Sequence, residues 1–76
     1  MKELLFYIVS NLVEHPESVS INEVETEDAI TLELKVEQSD MGKVIGRQGR
    51  IAKAIRTLVK SAAAKSGKKV TVEILD

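Results

Sequence analysis

Two glycines three residues apart, Gly46 and Gly49, lie in the stretch VIGRQGR with Arg47 and Gln48 between them. The chain has only four glycines, so a pair at this spacing indicates a turn in which side chains would be obstructive. Glycines let a phosphodiester approach the backbone, and Arg47 adds a positive charge with a forked set of donors. These residues could therefore bind a phosphate backbone; the alternative is a plain turn between two helices.

A helix is predicted directly after this turn, over residues 50–65, because apolar residues recur there at i, i+3 and i+4. Its inward positions are expected to be Ile51, Ala54, Ile55, Leu58, Val59 and Ala62. Its reverse face is expected to carry the basic residues Arg50, Lys53, Arg56 and Lys60. Because a helix N-terminus favours an anion, this context favours phosphate binding over a plain turn. Ile45 and Ile51 flank the turn and could line an adjacent groove for bases.

Charge is unevenly distributed along the chain, although its net value is only -1. Residues 1–39 carry nine acidic side chains and two basic ones, Lys2 and Lys35. Residues 40–65, which include the glycine turn, carry seven basic side chains and a single acidic one, Asp40. This separation predicts a local positive field around the turn on a protein that is nearly neutral as a whole.

A first helix is predicted over residues 2–14, with Leu4, Leu5, Ile8, Val9, Leu12 and Val13 on its inward face. Tyr7 falls on the opposite side. His15 is expected in the last turn, where a cation suits the helix dipole, and Pro16 ends the helix. His15 could also serve as a ligand or base. It is the only histidine and has no cysteine or clear carboxylate partner, so the helix-end role is favoured.

The remaining segments predict three strands and a short helix. Strands are expected over 19–25, over 30–36 with alternating apolar residues, and over 69–75. A polar turn is expected at 25–28. Ser39 is expected to cap a short helix over 40–45 whose inward residues are Met41, Val44 and Ile45. Gly67 is suited to end the long helix.

This order, αββααβ, predicts the topology. The first two strands should form an antiparallel hairpin, and the helical connection should place the third strand parallel to the second, which lies in the centre. We therefore expect an α+β two-layer sandwich, a single domain over 1–76, with three helices on one face of a three-stranded mixed sheet.

Several function classes are excluded by what the sequence lacks. It has no cysteine, no nucleophile–base set, no metal-ligand cluster and no G-x-x-x-x-G-K-[ST] phosphate loop. An enzyme, a metal site, a cofactor and a small-molecule substrate are therefore not expected. The N-terminal run MKELLFYIVSNLV is interrupted by Glu3 and Asn11 and is too short to span a bilayer. A cytoplasmic protein with no membrane association is expected.

The motif VIGRQGR between two helices, in this element order, resembles the VIGxxG signature of KH RNA-binding domains, in which the loop clamps about four nucleotides. Two strands before the loop and one after it resemble the type II arrangement. With HPESV and GRQGRIAKAIRTLV, the full length is similar to the small bacterial KhpA-type KH proteins. The resemblance implies binding of single-stranded RNA by Lys43, Ile45, Gly46, Arg47, Gln48, Gly49, Arg50, Ile51 and Lys53, with Val44 supporting the loop.

The resemblance also implies partners and a cellular role. Such proteins form homodimers and pair with a larger KH protein of the Jag type, in an RNA-chaperone or post-transcriptional role linked to cell elongation and division. A protein-interaction subunit, whose basic G-x-x-G edge docks on a partner protein, is the alternative function. Self-association could use the first helix, through Phe6 and Tyr7, or the G-x-x-G edge, and the latter is expected.

Overall fold

The computed structural model describes residues 1–75 as one sheet covered on one side by helices. Three short 3₁₀ turns flank the second and third helices, at Gln38–Asp40, Arg47–Gly49 and Ala64–Ser66, and a fourth follows the first helix at Pro16–Ser18. The main elements, in chain order, are α1 (Lys2–Ser10), β1 (Ser20–Glu25), β2 (Ala29–Lys35), α2 (Met41–Ile45), α3 (Arg50–Ala63) and β3 (Lys69–Leu75).

The sheet has the topology that the sequence predicts. β2 lies between β1, which is antiparallel to it, and β3, which is parallel to it. Leu32 of β2 shares a position with Val72 of β3, so inward side chains of neighbouring strands stand side by side. The strand bounds agree with prediction to within one residue. The turn after β1 is closed by Thr26, whose N–H donates to the Ala29 carbonyl at 2.8 Å.

The core fills the single interface between the helices and the sheet. Burial of aliphatic side chains in this layer is the main favourable term in folding. The opposite face of the sheet is mostly polar, as expected, with Val24 as an exposed apolar residue on it. There Asn22 Nδ2 donates to Glu33 Oε1 at 2.9 Å across the hairpin. The buried apolar cluster consists of Leu5, Val9, Ile21, Ile30, Leu32, Leu34, Val44, Ile55, Val59, Ala63, Val70 and Val72.

The first helix is shorter than predicted, because α1 ends at Ser10 and not at residue 14. Ser10 Oγ donates to the Phe6 carbonyl and Asn11 Nδ2 to the Tyr7 carbonyl, at 2.6 and 2.7 Å. Such side-chain bonds to backbone compete with continuation of a helix. His15 therefore lies beyond the helix, and the prediction that it interacts with the α1 dipole is wrong.

The short helix also differs in detail from its prediction. A 3₁₀ turn at Gln38–Asp40 precedes α2, and no side chain, including that of Ser39, caps either segment within the described residues. Val44 is buried as expected. Ile45 is 37% exposed, so its predicted inward position is wrong.

The long helix ends at Ala63, two residues before its predicted end, and Gly67 follows with the expected positive φ of 74°. Its inward face is rotated from the predicted one. Ile55 and Val59 are buried as expected, but Ala52 and Ala63 complete the buried face, whereas Ala54, Leu58 and Ala62 are exposed. Small alanines at 52 and 63 let the helix approach its neighbours closely, a preference that apolar spacing alone does not reveal.

Within residues 1–75, no helix has the length and apolar character needed to cross a membrane.

Candidate nucleic-acid interface

The glycine turn is a compact loop that reverses the chain between α2 and α3. Gly46 ends α2 and adopts φ 75° and ψ 175°, a region that is essentially restricted to glycine. Gln48 and Gly49 follow in the left-handed region, with φ of 58° and 73°. Two hydrogen bonds close the loop: Gly46 N–H donates to the Gly42 carbonyl at 2.9 Å, and Gly49 N–H to the Gly46 carbonyl at 3.2 Å.

Gly46 is required for a second reason, which is close packing. A Cβ atom at this position would lie 2.6 Å from Ile51 Cγ1 and 2.9 Å from Ile51 Cβ. Ile51 packs against the core from the first turn of α3. The loop therefore folds back onto the helix that it introduces, which fixes the direction in which residues 47 and 48 project. A Cβ at Gly49 would meet nothing within 4 Å.

The loop presents its polar side chains to solvent at the N-terminus of α3. Arg47, Gln48, Arg50 and Lys53 are all exposed. Within residues 1–75, none of these three basic side chains has a carboxylate within 4.0 Å, so their charge is available to a ligand. Among the side chains that the structure describes, none caps α3. Uncapped N–H groups, the dipole and unpaired cations together make this end of the helix attractive to an anion.

Lys43 belongs to a different environment from the other predicted RNA contacts. Its ammonium lies 3.4 Å from a carboxylate oxygen of Glu14 and 3.5 Å from Asp40 Oδ1. The side chain thus points back along α2, toward its N-terminus and away from the loop. The structure brings Ile45, Ile51, Arg50, Lys53 and residues 46–49 together, but it does not bring the Lys43 ammonium to them.

Asp40 is a buried acid that sequence reasoning did not assign to the site. Its side chain is fully buried, with Oδ1 accepting from Glu14 N–H at 3.1 Å and Oδ2 from His15 N–H at 2.9 Å. Burial by itself raises the pKa of this carboxyl, but the two N–H donors and the charge of Lys43 outweigh burial, so the pKa lies below its ordinary value. The sequence held one signal of this role, because Asp40 is the only acid in the basic segment.

The depressed pKa of Asp40 gives a prediction for acid stability. A carboxyl whose pKa is lower in the folded state stabilises the fold at every pH above its unfolded pKa, about 3.9, and this contribution is lost as the pH falls through the folded pKa. We expect Asp40→Asn to lower the free energy of unfolding at neutral pH, and the difference from wild type to shrink below about pH 4. Urea unfolding at a series of pH values measures the difference in free energy of unfolding between the two proteins. A difference that stays constant from neutral pH to below about pH 4 would contradict the prediction.

Arg56 is a second residue whose placement the sequence did not reveal. Its Nε donates to the Val72 carbonyl at 3.1 Å, across to the outer strand β3. At about 100° per residue, Lys53, Arg56 and Lys60 share this flank of α3, which faces the edge of the sheet. Leu58 and Ala62 lie on the other flank. The basic side of α3 therefore continues from the loop along β3.

No group of three or more histidine or acidic side chains within residues 1–75 has a metal-binding arrangement. The site thus consists of a glycine loop, the uncapped start of a helix and unpaired cations.

A G-x-x-G loop between two helices, carried by an αββααβ fold with a mixed three-stranded sheet, defines a KH domain of type II. The chain matches the family model described as "KhpA/KhpB, KH domain" over residues 2–74. It therefore belongs to the KhpA/KhpB KH-domain family, which is not a family of enzymes.

Curated relatives match over the full length. The chain is 64% identical to the RNA-binding protein KhpA of Clostridium perfringens, covering 99% of this chain and 100% of that one. It is 53% identical to the RNA-binding protein KhpA of Listeria monocytogenes, covering both chains completely.

Solved structures confirm the fold. Aquifex aeolicus Era bound to GDP and aluminium fluoride superposes with a TM-score of 0.69 at 20% identity. Era in complex with MgGDPNP and nucleotides 1506–1542 of 16S ribosomal RNA gives 0.64, also at 20% identity. Each match covers 96% of this chain but only 28% of Era. At this identity, the likeness extends to the fold alone.

Proposed function

We propose that this protein binds single-stranded RNA by holding the phosphate backbone at the Gly46–Gly49 loop. The observation that carries the proposal is the loop geometry: a glycine-only backbone conformation at Gly46 fixes two exposed residues, Arg47 and Gln48, beside the uncapped N-terminus of α3. Phosphate would bind N–H groups and the Arg47 guanidinium there. The names of the KhpA relatives, RNA-binding proteins, support this choice of ligand.

The surface beside the loop suits bases. Ile45 is partly exposed, and Ile51 is half-buried directly beneath Gly46, so an apolar strip adjoins the cations. Arg50 and Lys53 would follow the backbone along the basic flank of α3. No tryptophan is present, and the two aromatic residues lie on α1, so base stacking on aromatic rings contributes little here. We therefore expect modest affinity that is dominated by phosphate contacts.

The salt dependence of binding tests this mechanism. Each phosphate neutralised on a single strand contributes about −0.7 to the slope of log K against log salt, so three or four contacts give a slope of about −2 to −3. Replacing Arg47, Arg50 or Lys53 singly by Gln should flatten the slope by up to about 0.7. Fluorescence anisotropy with a random-sequence RNA pool measures it.

Lys43 provides the matched control for that experiment. Because its ammonium is held by Glu14 and Asp40, Lys43→Gln should leave the slope unchanged although it removes the same charge. A slope that is insensitive to Arg47, Arg50 and Lys53, or one near −6 that reports a much longer RNA path, would contradict the proposed mechanism.

Self-association is part of the proposal, and we place it on the exposed apolar flank of α3 as an alternative to the G-x-x-G edge expected from the sequence. Leu58 is 55% exposed, and the exposed Ala54 and Ala62 lie one turn before and after it. An apolar strip of this kind can pair with its own copy about a two-fold axis. It lies on the flank of α3 opposite Arg56, so a dimer formed through it would leave the G-x-x-G loop free. The larger Jag-type KH partner would compete for the same strip.

Sedimentation of variants tests the dimer. Leu58→Glu should shift the protein to monomer, whereas Thr57→Glu, at the next exposed position of α3, should dimerise as wild type does. A charge buried without a partner at an interface is strongly unfavourable, so dimerisation should weaken by at least about tenfold. If Tyr7→Glu gives the monomer instead, the interface is the exposed face of α1, where Tyr7 is 69% exposed.

An RNA-chaperone or post-transcriptional role in the cytoplasm, linked to cell elongation and division, completes the proposal. Modest, sequence-tolerant backbone binding is compatible with such a role. Crosslinking and sequencing of bound RNA from cells tests it, with recovery of many transcripts as the expected result. Capture of an acidic protein partner by the loop without RNA would support the alternative, a protein-interaction subunit.

A further inference from the structure

Asp40 joins two segments that are about 25 residues apart in the chain. Its two carboxylate oxygens accept the N–H groups of Glu14 and His15, in the segment between α1 and β1. Asp40 itself immediately precedes α2, the helix that leads to Gly46. Lys43, one turn further on, closes the arrangement by contacting both Asp40 and Glu14. We call these three side chains, Glu14, Asp40 and Lys43, the clasp.

We propose that Asp40 is a positioning residue for the RNA clamp, because the clasp fixes the orientation of α2 and hence of the Gly46–Gly49 loop. This inference rests on the proposed function. Asp40 itself is buried and contacts no ligand; it acts through α2.

The length of α2 shows why it needs an external anchor. A helix of five residues is far too short to be stable by itself, since its few hydrogen bonds do not offset the cost of nucleation. Val44 is its single buried side chain among the described residues. A single buried side chain allows the helix to pivot, whereas the two hydrogen bonds of Asp40 at the opposite end fix a second point. The orientation of α2 determines that of the loop, because Gly46 N–H donates to the Gly42 carbonyl within α2.

Asp40→Asn tests the proposal with minimal change of shape. An amide NH₂ in place of one oxygen cannot accept a backbone N–H, so one anchor is lost. The probe is a random-sequence pool of RNAs about 12 nucleotides long, which exceeds the roughly four nucleotides that such a loop holds. We expect the affinity for this pool to fall by about fivefold, which is the lower end of the coupling measured between linked sites. The slope against salt should stay as in wild type, because the phosphate contacts are the same in number.

Electrostatics alone predicts the opposite result, which makes the test decisive. Asp40→Asn removes a negative charge, so a purely electrostatic effect would tighten RNA binding. Glu37→Gln is the matched control. Glu37 is exposed and lies three residues before Asp40, and its substitution removes the same single negative charge. The control should bind RNA as tightly as wild type or slightly more tightly.

Amide hydrogen exchange separates positioning from a general loss of stability. In Asp40→Asn, the Gly46 and Gly49 amides should lose more protection than the Leu32 and Val72 amides of the central sheet. A residue that only stabilises the fold would lower protection everywhere alike. Unchanged RNA affinity in a folded Asp40→Asn protein, or a uniform loss of protection, would overturn the proposal.

A measurement on the wild type keeps the test valid even where the variant does not fold. Coupling between sites is reciprocal, so RNA that is held by the loop must strengthen the bonds that orient it. Saturating RNA should raise protection of the Glu14 and His15 amides, with Thr26 at the far hairpin turn as the internal reference. No change at Glu14 and His15 would overturn the positioning role. If the same RNA does not bind the wild-type protein at all, the proposed function is overturned, and not the positioning role alone.

Discussion

Replacing Arg47 and Gln48 together by aspartate is expected to abolish RNA binding and leave the fold intact. Both side chains are exposed, and both flanking glycines remain in place. Gln48 has a positive φ of 58°, a conformation that aspartate adopts more readily than most residues. Two carboxylates would replace the donors that face the phosphates. Loss of about two charge-assisted hydrogen bonds, at about 1.5–3 kcal/mol each, weakens binding by a hundredfold or more.

A variant with the same change in charge serves as the control for this experiment. Ser61→Glu with Lys65→Glu also makes the net charge more negative by three, at exposed positions near the C-terminal end of α3 and away from its basic flank. It should retain most of its RNA affinity, because only long-range attraction is reduced. Circular dichroism and anisotropy on both variants provide the measurement. Equal losses of affinity in the two variants would assign binding to overall charge and not to the loop.

Gly46→Ala is expected to destabilise the fold more than any other glycine substitution. The backbone at φ 75° and ψ 175° costs a non-glycine residue about 1–3 kcal/mol. The new Cβ would also overlap Ile51 at its Cβ and Cγ1, atoms that cannot swing away because they are next to the helix backbone. Overpacking of this kind adds about 1–3 kcal/mol. The total, about 2–6 kcal/mol, is a large share of the stability of a small domain.

The other loop and helix glycines give a graded comparison. At Gly49 a Cβ meets nothing within 4 Å, so Gly49→Ala should cost only the left-handed backbone term, about 1–2 kcal/mol. Gly42 lies inside α2 with open space around it, and Gly42→Ala should be neutral or stabilising by up to about 1 kcal/mol. Urea unfolding of the three variants measures their free energies of unfolding and so gives their order of stability. If Gly46→Ala were as stable as Gly49→Ala, the Ile51 side chain would have to move away from the new Cβ atom at little cost in free energy, which would contradict the prediction.

This steric difference also decides which loop variants can report on RNA binding. An aspartate at Gly46 would disturb Ile51 and the start of α3, so lost binding could reflect lost structure. Substitution of the two central residues avoids this ambiguity.

The sheet could be predicted from the sequence almost completely, and the reason is its one-sided burial. Ile30, Leu32 and Leu34 alternate with polar residues, so a shift of one residue would expose the whole set to water. The helices were harder to predict. The apolar residues of α3 cover more than one face, and only its contacts with the sheet and α1 decide that Ala52 is buried and Leu58 is not.

The loop residues were predictable from the sequence as candidates, whereas their grouping depended on distant contacts. Arg47, Gln48 and Gly49 are adjacent in the chain, so local spacing was sufficient. Lys43 differs because its partner Glu14 is far away in sequence, and no local pattern reveals a pair of that kind. The segment that follows α1 is held in a similar way, since the N–H groups of Glu14 and His15 bond to Asp40, which is distant in the chain.

The two flanks of α3 have a consequence for how a weak RNA binder could act on long transcripts. A dimer joined through Leu58 would carry two loops on outward-facing surfaces, and one flexible RNA strand could occupy both. After the first loop binds, the second meets the same strand at an effective concentration of about millimolar, which can raise avidity by about 10²–10⁴ without any new contact. Transcript length, and not only base sequence, would then determine which RNAs the protein retains.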